Sequence, residues 1–137
     1  MKQILLLTML TLLCSADMKQ EIQIKGQWQW VKSEFIARGM SQPKVSTPKS
    51  RKYEVILDIR EKEIEIIKNG DSVAVVPYLY YQQTEDLKVL RVSIPQDDFP
   101  FFISSGPVYF KADTMIIGGT YNDAGEDQYY IRIQENN

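Results

Sequence analysis

The chain has 137 residues, 44% of them hydrophobic and 25% charged, with a formal net charge of −2 and no histidine. That length suits one domain around one core, and those fractions exclude a chain disordered throughout. The weak acidity leaves no field to draw nucleic acid, and neither an arginine-rich helix nor an aromatic RNA-binding signature is present.

The first residues, "MKQILLLTMLTLLCSAD", place one cation, Lys2, before an apolar run from Ile4 to Leu13 and small residues beyond it. This is the layout of a secretory signal, too short for a permanent bilayer span, which needs ~20 apolar residues. Residues 1–16 are therefore expected to be a signal peptide and 17–137 the mature domain, exported to the periplasm or the exterior. Cys14 is the only cysteine. Cleavage after Ala16 would remove it. The alternative is lipidation of Cys14, which would anchor the protein to the cell envelope, although Leu13 stands where a lipoprotein box usually has a small residue. In both cases no disulfide framework exists, and the fold must stand on its core.

Beyond the signal, β patterns recur at short intervals. "IQIKGQWQWVKSEF" (22–35) puts Ile22, Ile24, Gly26, Trp28 and Trp30 on one parity, and "KYEVILDI" sets Tyr53, Val55, Leu57 and Ile59 against Glu54, Ile56 and Asp58. "KEIEIIKNGDSVAVV" reads as a hairpin turning at Asn69-Gly70, because a two-residue type I′ turn needs positive φ twice. "YLYYQQ" continues or restarts the strand after Pro77, and "LKVLRVSI" aligns Leu90, Val92 and Ile94. "FPFFISSGPVYFKAD" is expected to form a short strand on each side of residues 104–107. The last hairpin turns at "NDAGED", and its final strand sets Tyr129, Ile131 and Ile133 against Tyr130, Arg132 and Gln134.

Between the first two strands, residues 36–51 ("IARGMSQPKVSTPKSR") read as a long loop rich in Pro, Ser, Thr and Gly. Its neighbourhood carries Lys32, Arg38, Lys44, Lys49, Arg51 and Lys52 against Glu34 alone. A loop of this length in a small domain is either a solvated connection or functional.

About eight short strands joined by turns, with no segment suited to a crossover helix, point to an all-β antiparallel meander. Closing it removes both edges and gives an up-and-down β-barrel, with a β-sandwich as the alternative.

The order of signal, "IKGQWQWV" on the first strand, "KNGD" hairpin and closing "DQYYIRI" resembles the lipocalin-like domains of small exported Bacteroidetes proteins. In the wider lipocalin family a Gly-x-Trp on the first strand lies at the closed end of the barrel, and an arginine on the last strand packs across the indole. Gly26-Gln27-Trp28 and Arg132 match those positions in order. The resemblance thus implies a structural barrel end made by Gly26, Trp28 and Arg132, with the first long loop over the open end. Trp30, sharing the parity of Trp28 and ~7 Å further along, becomes a candidate cavity wall.

The chemistry available is limited. Without histidine, imidazole acid–base catalysis and the commonest zinc ligand are gone. Asp97 and Asp98 are sequence neighbours that point to opposite faces of a strand, and Asp123, Glu126 and Asp127 lack the ordered ligand spacing of a calcium loop. No catalysis, metal or cofactor is expected. Tyrosines suit a cavity that takes a hydrophobic body with a few polar groups, so Tyr78, Tyr80, Tyr109 and Tyr129 join Trp30 as cavity candidates. The expected function is binding of a small apolar or amphipathic molecule, with Arg38, Lys44, Lys49 and Arg51 of the basic loop beside the mouth. The alternative is an envelope module with a filled barrel and a protein or glycan partner on its surface. Membrane attachment is expected only through lipidated Cys14.

Overall fold

A computed structural model describes residues 24–93, 101, 103–118 and 124–134. Strand β1 spans Gly26–Ala37, β2 Lys44–Ser46, β3 Val55–Ile59, β4 Glu63–Lys68 and β5 Asp71–Thr84. They are followed by β6 at Leu87–Val92, β7 at Gly106–Lys111, β8 at Thr114–Ile117 and β9 at Ala124–Arg132, and one helical turn, α1, covers Pro48–Arg51. Consecutive strands from β3 to β9 pair antiparallel, and β1 pairs with both β3 and β9. Eight strands therefore close into an up-and-down barrel, with β2 added outside it on β1. A single sheet that meets itself rules out the sandwich.

The strand directions give the barrel two unlike ends. The short turns between β3 and β4, β5 and β6, and β7 and β8 gather beside the start of β1 and the end of β9. The connection between β1 and β3, the two-residue turn between β4 and β5, and the strand ends of β6, β7, β8 and β9 that are not joined by short turns lie at the other end.

Alternation along the strands fills the interior. Val55, Leu57 and Ile59 of β3, Ile64 and Ile66 of β4, Leu90 of β6, and Met115 and Ile117 of β8 are all buried, each contributing about 1.5–3 kcal/mol relative to exposure. Strand β5 runs unbroken through Pro77, which sits opposite Glu63 at the start of β4 and costs the ladder little there. At the β4–β5 turn Asn69 (φ 53°) and Gly70 (φ 88°) both take positive φ. Asn69 also ties β3 to this turn, since its Oδ1 accepts from the Glu54 N–H at 2.9 Å.

Two sequence expectations are corrected. Residues 36–51 are not a plain loop: β2 pairs Ser46 with Ser33 and Lys44 with Phe35, and α1 follows at once. A capping box explains the helical turn, with Thr47 Oγ1 accepting from Ser50 N at 3.2 Å and Ser50 Oγ from Thr47 N at 2.9 Å, while Pro48 pre-sets φ at the first position. "NDAGED" is also not wholly a turn, because β9 begins at Ala124 and sets Glu126 and Asp127 opposite Phe35 and Glu34. The expected signal with Cys14, together with Ile94, Asp97, Asp98, Phe99, Phe102 and Asp123, lies outside the described residues.

At the end with the short turns, Trp28 is fully buried. Its Nε1 donates to the Ile24 carbonyl at 2.7 Å, and Phe110 packs against it at 5.8 Å between centroids. The Arg132 guanidinium lies 4.1 Å from the indole centroid, and its Nη1 donates to the Lys25 carbonyl at 3.0 Å. Gly26 has φ 118°, and a Cβ there would stand 2.8 Å from Arg132 Nη1. Glycine is thus favoured by the backbone conformation, and the missing Cβ leaves the room that the end of the Arg132 side chain occupies.

Candidate functional site at the open end of the barrel

The opposite end is assembled around an irregularity in β1. Trp30 pairs with Tyr130 and Lys32 with Tyr129, so Val31 is an extra residue in a β-bulge. The bulge lets Trp30 and then Ser33 both face the interior, where they are buried, and turns Lys32 outward. Ser33 Oγ accepts the Trp30 indole N–H at 3.0 Å.

β2 and α1 complete one wall. Ser46 is buried opposite Ser33, and its Oγ accepts from Arg51 Nη2 at 3.1 Å, which fixes an otherwise exposed arginine at the rim. After α1, Lys52 takes a left-handed conformation and the chain turns into β3. There the Tyr53 ring stacks on Trp30 at 5.8 Å and 24°. Phe101 meets both rings edge-on, at 5.5 Å from Trp30 and 6.3 Å from Tyr53. Lys68 Nζ lies 4.4 Å from the Tyr53 ring centroid.

The floor is polar and satisfied. Gln128 is buried, and its Oε1 accepts from Ser104 N at 2.8 Å and from the Tyr130 hydroxyl at 2.9 Å. Burial, with the Glu126 charge nearby, pushes the Tyr130 phenol well above its ordinary pKa, so it stays a neutral donor. Ser104 Oγ donates to the Glu126 carbonyl at 3.2 Å. Between these walls lies a cavity of about 150 Å³, bordered by the aromatic Trp30, Tyr53 and Phe101 and by the polar Ser33, Ser46, Arg51, Glu126 and Gln128. Its size matches the ~150 Å³ space that accepts one benzene ring in a protein core.

Of the residues singled out in the sequence, Trp30 and Arg51 border this cavity. Arg38, Lys44 and Lys49 are exposed and outside its lining. Tyr78 faces inward, but near the other end: its hydroxyl donates to the Arg60 carbonyl, and burial raises its pKa. Tyr80 packs against the core with Lys88 Nζ 6.0 Å from its ring centroid, away from the cavity lining. Tyr109 and Tyr129 correct the expectation of inward tyrosines. Tyr109 is 52% exposed on the outer face, since Val108 and Phe110 take the inward positions of β7. Tyr129 faces outward because Gln128 and Tyr130 face inward. Its hydroxyl donates to Glu34 Oε2 at 3.1 Å, and Lys32 Nζ stands 4.3 Å over its ring.

Several lining residues were missed. Tyr53 shares the parity of Val55 and Leu57, which was a sufficient signal for an inward ring. Gln128 shares that of Arg132, whereas Ser33 depends on the bulge, which no residue type announces. A larger depression, about 490 Å³, lies at the seam of β6 and β7 between Leu87, Val89, Arg91 and Pro107. Arg91 is the one charged group of its lining, and its Nε already donates to the Tyr81 hydroxyl at 2.9 Å. The convergence of rings and polar groups favours the open-end cavity.

Comparison with protein-family models, with curated proteins and with solved structures found no match, so the reading of this site rests on its own geometry.

Proposed function

We propose that this is an exported binding protein of lipocalin-like character that holds a small amphipathic molecule at the open end of its barrel. One observation carries the reading: a single cavity is bordered by three mutually packed aromatic rings together with two serines, a glutamine and two charged groups. An apolar group gains from the rings, and the polar groups select its orientation. The interior below is occupied by Trp28, Leu57, Ile64, Leu90 and Met115, all fully buried. The ligand on this reading sits at the rim rather than threading the barrel. The cavity lining holds one carboxylate and no histidine or cysteine, which supports binding over catalysis.

The test is native mass spectrometry of mature protein from an exporting host, with organic extraction of whatever travels with it. A stoichiometric small molecule, lost on denaturation and absent from a Trp30→Ala variant, is the expected result. A second reading, an envelope module that binds a partner on its outer face, is favoured by the outward row of β5. There Val73, Val75, Leu79 and Tyr81 are 38%, 52%, 67% and 37% exposed. A clean apo mass, with amphiphiles leaving tryptophan fluorescence unchanged, would favour that module.

A further inference from the structure

Arg51 and Glu126 have opposite charges and border the same small cavity, yet no ion pair joins them. Each is held by contacts that leave its charged group available. Arg51 gives one N–H to Ser46 Oγ and keeps the rest of its five donors. Glu126 is fixed through its main chain, opposite Phe35 in the ladder and with its carbonyl accepting from Ser104 Oγ, so its carboxylate is not consumed in holding the strand. Alternation along β9 puts Glu126 on the face of the buried Gln128 and Tyr130.

This pairing of charges discriminates among ligands. An anion with an apolar body gains from Arg51 but meets the Glu126 charge across the same small cavity, and a cation meets the converse problem. A neutral hydrocarbon desolvates both charged groups and offers neither a partner. A molecule with a carboxylate and an ammonium beside one apolar group satisfies both, and the cavity those two groups share, which Trp30, Tyr53 and Phe101 also border, has room for about one six-membered ring.

Resting on the binding reading above, we infer that the ligand of the open-end cavity is a small zwitterion with the chemistry of a free apolar amino acid, its carboxylate toward Arg51, its ammonium toward Glu126 and its side chain against the ring edges that border the cavity. Arg51 and Glu126 are then the specificity-determining residues.

The experiment is calorimetric titration of the full mature protein with L-phenylalanine, 3-phenylpropionate and phenethylamine, which carry one ring and both charges, the negative one or the positive one. A medium-chain fatty acid serves as probe of the broader binding reading. Phenylalanine is expected to bind roughly 10-fold tighter than either single-charge probe. Glu126→Gln is expected to remove most of the advantage of phenylalanine over phenylpropionate. Arg51→Gln is expected to remove its advantage over phenethylamine, and Arg51→Lys, which keeps the charge, to retain part of it. Circular dichroism verifies that each variant is folded. Phenylpropionate, phenethylamine or the fatty acid binding as tightly as phenylalanine, or a Glu126→Gln protein with an unchanged preference, overturns the zwitterion assignment and leaves the cavity as a binding site. No heat and no change in tryptophan emission with any probe, up to its solubility, overturns both.

Discussion

Trp28 and Trp30 stand two residues apart on one strand, face the same interior and are 0% and 2% exposed, yet their surroundings assign them different work. Around Trp28 every approach is closed: the guanidinium of Arg132 lies on its face, Gly26 admits that guanidinium, and a main-chain carbonyl takes its N–H. Around Trp30 one side is open to a cavity, and its N–H goes to a serine that is itself part of the cavity wall. Burial alone therefore does not distinguish a structural ring from one available to a ligand. What distinguishes them is whether packing continues past the ring.

Substitutions can break this contrast or sharpen it. The largest effect is expected from Trp28→Ala, which should cost about 3–5 kcal/mol in urea unfolding. Trp30→Ala should cost measurably less, because one side of that ring already borders unfilled space. Equal costs would mean that the open end is packed as tightly as the closed one. Gly26→Ala forces a Cβ against Arg132 at an unfavourable φ and is expected to cost about 1–3 kcal/mol. Combined with Arg132→Ala the penalty should shrink, leaving the backbone part, and a double-mutant cycle with no coupling would refute the contact. Ser33→Ala should cost about 1 kcal/mol and shift the emission of Trp30 while leaving that of Trp28 unchanged, which single-tryptophan variants can resolve.

Titration gives the smaller effects. Burial raises the folded-state pKa of Tyr130 above its ordinary value of 10.0, so its contribution to stability is fully present below that pH and is lost as pH rises through the folded value. Alkaline unfolding should therefore coincide with the appearance of phenolate absorbance, and Tyr130→Phe should remove that coincidence. Glu34 on the outer face is the converse case. Lys32, and then the Tyr129 hydroxyl, hold its pKa below the ordinary 4.5, so its contribution is present above that pH and is lost as pH falls through the folded value. Glu34→Gln should flatten the acid limb of the stability profile slightly, as expected of a surface pair.

Much of the fold was legible because a period of two is hard to imitate: Val55, Leu57 and Ile59, and Ile64 and Ile66, face inward as their spacing required, and Asn69-Gly70 turned where it should. The site was less legible, for identifiable reasons. Tyr129 was expected inside although Arg132 was expected to cross Trp28. Alternation along β9 allows only one of these, and the arginine's parity carries Tyr130 and Gln128 inward with it. The helical turn α1 escaped notice because four residues are too few to display a helical period, and its capping partner Ser50 stands where a glutamate or glutamine is usual. β2 is three residues long and has no pattern of its own.

The bulge at Val31 also bears on how this strand tolerates changes of length. Removing a residue from the regular stretch, such as Gln29, would set Trp28 directly beside Trp30, so that the two rings could no longer share the interior face even with the bulge absorbed. Removing Val31 would not. Trp30 would then precede Lys32 directly, as Tyr130 follows Tyr129 on the partner strand, and every remaining side chain would keep its face. The bulge, Val31 with Lys32, is thus the place between Trp28 and Ser33 at which β1 can lose a residue without exchanging its inside for its outside.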